Sequence, residues 1–310
     1  MNHVTAMPGR RRAPAYTLLL AALGVSLGLL MITPGQATPA IEPATSKAAP
    51  SAKYVGRWNY DHPDRDTMTN IAVSDLPGRH QVPQVGDIVL TADGADRVIG
   101  RTNVGCTWRF RATPTSLKLD PAHQLCHNPT SNVRYTIADW TVTVHGRHAT
   151  ETLSATSHHE RDYTFEVKNG ARTRTSEHGA GATVAFVGAW TYDPADEATG
   201  VNLRTTVRTA PDGSREVELS EEQGSVVITR DYGNRITART DQACTWALVA
   251  RGNVATLDPA VQSCTRSDTT AIILRSWTLS TAGSAQASTM SGTDEHGRTF
   301  TLSVGALHKG

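Results

Sequence analysis

A few side chains in this sequence stand at spacings that could support chemistry, and nearly all of them occur twice. Asp61 and Asp193 both follow Trp-x-Tyr, and Asp120 and Asp258 both precede Pro. Paired carboxylates can divide general acid and base work, but an Asp that ends a strand or precedes Pro more commonly closes a turn, and the turn reading is adopted. His159 and His296 are the only matched histidines. A catalytic His needs a nucleophile and an orienting acid. The matched hydroxyls, Ser154 and Ser291, sit in strand-like runs without the glycines of a nucleophile elbow. His158-His159-Glu160 could collect a metal, yet adjacent strand residues point to opposite faces. No catalytic residue, metal ligand or cofactor is therefore assigned.

The elements that must position these residues are themselves written twice. Val55-Gly56-Arg57-Trp58-Asn59-Tyr60-Asp61 returns as Val187-Gly188-Ala189-Trp190-Thr191-Tyr192-Asp193, an offset of 132. Cys106-Thr107-Trp108 returns as Cys244-Thr245-Trp246 and Leu119-Asp120-Pro121-Ala122 as Leu257-Asp258-Pro259-Ala260, both at 138. Trp140-Thr141 matches Trp277-Thr278 at 137. Six Trp fall at equivalent places, three per copy: Trp58, Trp108 and Trp140, then Trp190, Trp246 and Trp277. Large rings held at matched positions read as core anchors; a ligand-stacking surface is the alternative. Each copy, of about 115 to 125 residues, is large enough to bury a core of its own.

Each copy also carries two Cys, 20 positions apart. Four Cys allow three pairings. Cys106–Cys126 with Cys244–Cys264 alone yields two identical, self-contained copies. Closing a loop of that length contributes on the order of 3 kcal/mol by restricting the unfolded chain.

Arg10-Arg11-Arg12 precedes an apolar run from Tyr16 to Ile32 and then Thr33-Pro34-Gly35-Gln36-Ala37-Thr38-Pro39-Ala40. A cationic start, an apolar stretch and a small-residue tail form the layout of an export signal. The run's length of about 17 residues stands at the border of a membrane span, so residues 1–40 read as a signal peptide or a signal anchor. Membrane contact is expected only through that segment. Export to an oxidising compartment agrees with paired Cys.

Net charge is +1, which favours neither nucleic acid nor acidic partners. Residues 41–52 and 169–184 read as linkers around β repeats at 53–168 and 185–310. Within the repeats alternation dominates. Cys106-Thr107-Trp108-Arg109-Phe110-Arg111 places Cys, Trp and Phe on one face. Asp93-Gly94 between Ile88–Ala92 and Arg97–Ile99 signals a hairpin. The count is about eight short antiparallel strands per copy, an all-β chain of two tandem barrels or sandwiches. Thr141, Thr143, Thr150 and Thr152, with Thr278, Thr281 and Thr289, suggest an exposed β face. The copies diverge most over Arg204–Gly224, and specialised binding is expected there and in Asp75–Gly86.

Val-Gly-x-Trp at the head of each copy resembles the Gly-x-Trp opening of lipocalin-like, calycin-type β-barrels, whose Trp plugs one barrel end. The resemblance implies that role for Trp58 and Trp190, with Arg161 and Arg298, ahead of the last strand, as candidates to pack on them. Neither copy has the Thr-Asp-Tyr signature of lipocalins. The duplicated pattern, with 25 Arg against 5 Lys, also resembles uncharacterised exported proteins of high-GC bacteria. A non-enzymatic exported binder of an extracellular ligand (a small apolar molecule, a glycan or a protein) is the expected function. Fold-level analogy supplies a protease inhibitor as alternative, and a secreted hydrolase is the second.

Overall fold

The computed structural model describes residues 48–78, 80–158, 162–175, 181–265 and 271–310. The export segment, residues 41–47 of the first linker, His159 and Arg161 lie outside them. Among the described residues no helix is long and apolar enough to cross a membrane.

The first copy contains β1 (Gly56–Tyr60), β2 (Ile71–Ser74), β3 (Gln81–Pro83), β4 (Asp87–Ala92), β5 (Arg97–Thr102), β6 (Thr107–Ala112), β7 (Leu117–Leu119), β8 (Gln124–Asn128), β9 (Val133–His145), β10 (His148–His158) and β11 (Asp162–Thr175). Eight of them close a ring, β1-β4-β5-β6-β7-β9-β10-β11 and back to β1; β2 and β3 extend from β11, and β8 pairs β9 outside the ring. After a short helix α1 (Gly181–Phe186), the second copy repeats the scheme. It runs through β12 (Gly188–Tyr192), β13 (Leu203–Thr209), β14 (Arg215–Glu221), β15 (Ser225–Arg230), β16 (Arg235–Thr240), β17 (Thr245–Arg251), β18 (Val254–Leu257), β19 (Gln262–Thr265), β20 (Ala271–Ala282), β21 (Ala285–Thr293) and β22 (Thr299–Lys309). Its ring is β12-β15-β16-β17-β18-β20-β21-β22, closed by β12–β22 pairing. The fold is all-β, two closed eight-stranded antiparallel barrels in tandem, and full closure leaves the ring itself without an edge to aggregate.

Alternation builds the cores. On β6 Trp108 and Phe110 are buried while Arg109 and Arg111 are exposed. Trp108 meets Trp140 edge-on at 6.2 Å, and Phe110 meets the same Trp140 at 5.3 Å. Trp190, Trp246 and Trp277 are buried in the second core. The disulfides are Cys106–Cys126 and Cys244–Cys264, with Cα atoms 5.4 and 5.6 Å apart, and they fit an oxidising, extracytoplasmic environment.

Each barrel's lower end is shut by its first Trp and the residue four positions before it. The indole N–H of Trp58 donates to the Tyr54 carbonyl, and that of Trp190 to the Phe186 carbonyl, both at 2.7 Å. The cations over these rings differ from the expectation. Arg174, opposite Trp58 across the β1–β11 ladder, lies 4.5 Å from its ring, and Lys309, opposite Trp190, lies 5.4 Å from its ring. Arg298 instead pairs with Asp294 and Glu218. Register decides this: the residue that faces Trp is inside the last strand, not ahead of it. Gly56 and Gly188 have φ of +134° and +138°, and a Cβ on Gly188 would meet Lys309 at 2.6 Å. At Gly188 the missing Cβ thus makes room for the cation over the ring, whereas at Gly56, where a Cβ would meet Arg174 only at 3.5 Å, the positive φ is what calls for glycine.

The linker readings at 41–52 and 169–184 need correction. β11 continues to Thr175 because Arg172–Thr175 is the stretch that hydrogen-bonds β1 and closes the ring. Pro50–Lys53 forms a 3-10 turn tied to barrel 1: Ser51 N–H and Oγ donate to the carbonyls of Ala95 and Gly94.

The barrels also touch each other. Asn103 Nδ2 donates to Ser280 Oγ (2.9 Å), Tyr163 OH to the Thr199 carbonyl (3.1 Å), and His80 Nδ1 bonds Asp196 Oδ2 (2.7 Å). At the β20–β21 turn Gly283 is required, since a Cβ there would meet the His62 ring at 2.4 Å.

Candidate functional site

The residues with sequence-level chemistry are not brought together. Asp120 pairs with Arg111 of the neighbouring strand β6, and Asp258 with Arg235 of β16, two strands away. Asp193 accepts from His308 at 2.7 Å. Ser291 bonds Ser276, and His296 is exposed in a turn whose backbone N–H donates to Asp294. Among the described residues no group of three or more His, Cys, Asp or Glu could hold a metal.

What stands out is the upper mouth of each barrel, opposite the Trp plug. An Asn that the sequence reading passed over frames it in both copies. Asn70 and Asn202, at positive φ (56° and 54°), each donate from Nδ2 to the carbonyl of the Asp nine positions earlier, Asp61 or Asp193. Their Oδ1 atoms accept from Ala171 N–H and Ala306 N–H. Their carbonyls accept from Gln84 N–H and Glu222 N–H, both at 2.8 Å. The signal was present: Asn70 and Asn202 are also 132 apart. Asn tolerates αL and bonds locally, so this one side chain sets the rim.

The frame makes position-by-position comparison secure, and the fillings differ. In barrel 1 the rim residues after the Asn are Ala72 and Gln84, and they line a cavity of about 220 Å³. In barrel 2 the same places are Arg204 and Glu222, and the matched cavity is about 50 Å³. Arg204 reaches Glu222 at 2.6 Å and covers the Phe300 ring at 4.6 Å. An ion pair therefore stops the second mouth. Burial pushes the Glu222 carboxyl upward, with the Arg204 charge opposing that shift in part.

Deeper in barrel 1 the pattern inverts. Arg172 on β11 and Glu151 on β10 form a forked pair, Nε–Oε2 2.7 Å and Nη2–Oε1 3.1 Å, with side chains only 3% and 0% exposed. Trp140 Nε1 donates to Glu151 (3.1 Å), Arg172 Nη1 to the Trp58 carbonyl (3.3 Å), and the guanidinium lies 3.4 Å over the Tyr60 ring. Burial drives the Tyr60 hydroxyl well above its ordinary value. For Arg172 burial works downward, but Glu151 and Tyr60 outweigh it and keep the guanidinium charged. In barrel 2 the corresponding residues are Ser288, which accepts from Trp277 Nε1 at 2.9 Å, and Leu307, opposite Tyr192.

The cavity is walled by Tyr60, Tyr135, Trp140, Tyr163 and Phe165, by Val82–Val85 after β2, and by Thr278, Ser280, Thr289 and Val304 from the outside of barrel 2. Part of Asp75–Gly86, Val82–Val85, reaches the cavity, and one sequence expectation changes here. The Thr face of β20 and β21 is not free surface: Thr278 and Thr289 are only partly exposed and look into this space. Arg204–Gly224 proves to be the β13–β14 hairpin, whose base supplies the plug of barrel 2 and whose outer strand is exposed throughout.

No protein-family model matches the sequence, and no curated protein does. Among solved structures the chain is similar to a protein of unknown function of the DUF3598 family from Nostoc punctiforme. That likeness has 8% identity and a TM-score of 0.24, over 86% of this chain and 100% of that one. So remote a likeness carries no argument, and the fold rests on the strand pairing described above.

Proposed function

We propose that the protein is an exported, non-enzymatic binding protein of two lipocalin-like modules. Barrel 1 holds a small, largely apolar molecule, and barrel 2 serves as scaffold and outer wall. The observation that carries this is the difference between two equivalent mouths: about 220 Å³ and aromatic in one, about 50 Å³ and stopped by Arg204–Glu222 in the other. An aromatic-lined concavity with few polar groups is the usual form of a small-molecule site. A dry cavity of about 150 Å³ accepts benzene, so this one suits a ligand of roughly nine or ten non-hydrogen atoms. Two disulfides and the cationic-apolar-small order of residues 1–40 support export.

The test is calorimetric titration with single-ring aromatics, repeated on Ala72→Arg/Gln84→Glu, which gives barrel 1 the stopper of barrel 2. Binding to the natural protein that the double variant abolishes is expected. Silence across the panel, or binding that the variant leaves unchanged, would remove the reading.

A further inference from the structure

Among the described side chains that line the barrel 1 cavity, only Asp87 and Arg172 are charged. Both are matched within the protein: Asp87 by Arg57 and Arg172 by Glu151. An ionised ligand would therefore bring a charge with nothing to answer it, in a setting where unpaired charge is strongly disfavoured.

Most polar groups in the wall are also committed. Asn103 Nδ2 donates to Ser280, and its Oδ1 accepts from Asp87 N–H. Tyr163 OH donates to the Thr199 carbonyl, and Ser288 accepts from Trp277. Ser74 is different. It follows Ala72 on the same face of β2, opposite Phe165, and the residue is only 5% exposed. Its hydroxyl has no hydrogen-bond partner among the described residues. A buried hydroxyl left unpaired is costly, and this one lines the cavity.

We infer that the cavity takes an uncharged aromatic molecule of one ring system bearing a single hydrogen-bonding group, which the Ser74 hydroxyl receives. This rests on the binding role proposed above and adds the ligand's charge, shape and polar anchor. The aromatic walls meet the ring, the volume limits it to a small one, and Ser74 fixes which end enters first.

Three probes separate the elements: para-ethylphenol, ethylbenzene and para-methylbenzoate, titrated into the natural protein and into Ser74→Ala. In the natural protein para-ethylphenol binds, and the ionised para-methylbenzoate binds at least a hundredfold more weakly. The ratio of ethylbenzene to para-ethylphenol dissociation constants falls by about five- to tenfold on Ser74→Ala, the worth of one hydrogen bond. A ratio that Ser74→Ala does not move, or a carboxylate bound as well as the phenol, overturns the inference while the binding role stands. If neither neutral probe binds the natural protein, the binding role fails and this falls with it. Should Ser74→Ala fold poorly, the phenol-to-carboxylate preference of the natural protein decides alone.

Discussion

The buried Arg172–Glu151 pair allows a quantitative experiment, because the second copy shows what the same site looks like without it. Glu151→Ser alone leaves a guanidinium unmatched where the side chain is 3% exposed, and Arg172→Leu alone leaves a carboxylate that is 0% exposed. Removing one partner of such a pair costs about 3 to 5 kcal/mol. The double change installs the Ser288 and Leu307 arrangement of barrel 2, in which the Trp indole finds a hydroxyl at 2.9 Å. Only lost volume remains, about 2 kcal/mol. The singles would then sum to roughly 6 to 10 kcal/mol against about 2 for the double, a coupling of about 4 kcal/mol or more. Denaturant unfolding followed by tryptophan fluorescence measures this, with the barrel 2 transition as internal reference. Each single variant should melt roughly 6 to 20 °C lower. A double variant as unstable as its worse parent would refute the argument, since the cost would then lie in packing and not in the uncompensated charge.

Two further outcomes follow from the rim and from the turns. Arg204→Ala/Glu222→Gln copies the open rim of barrel 1 onto barrel 2 but not the wall that barrel 2 lends to barrel 1, so calorimetry should show a second, weaker site for para-ethylphenol; no second site would deny that the ion pair stops the mouth. For Asp294, burial acts upward, but hydrogen bonds from Arg298 and from the His296 N–H outweigh it and hold the carboxyl below its ordinary value. A depressed folded pKa gives stability that is present above the unfolded value and lost as pH falls through the folded one. Asp294→Asn should therefore destabilise the protein at neutral pH and progressively less below about pH 4, in melts across an acid series; a deficit independent of pH would contradict this.

The frame was legible because it is local and repeated. Offsets of 132, 138 and 137 marked the copies, Cys spacing gave the bridges, and alternation around Trp108 gave a half-buried strand. What stayed hidden depends on register. Arg172 and Arg174 stand in a Thr- and Arg-rich stretch that reads as linker. Only the β1–β11 and β10–β11 ladders turn one toward Glu151 and the other over Trp58. The cavity was hidden for a further reason. Its far wall comes from more than a hundred residues downstream, and no periodicity within β20 or β21 announces what its outer face will meet. Ala72 against Arg204 was visible as a difference, but its meaning needed the geometry of the rim.

The wall shared between copies sets an order of events in folding. All the ring strands of barrel 1 lie within Gly56–Thr175, so it can close before its twin does. Its pocket is not finished then. Thr278, Ser280, Thr289 and Val304 belong to the second copy, so the first barrel alone presents an unroofed aromatic basin until the second half folds over it.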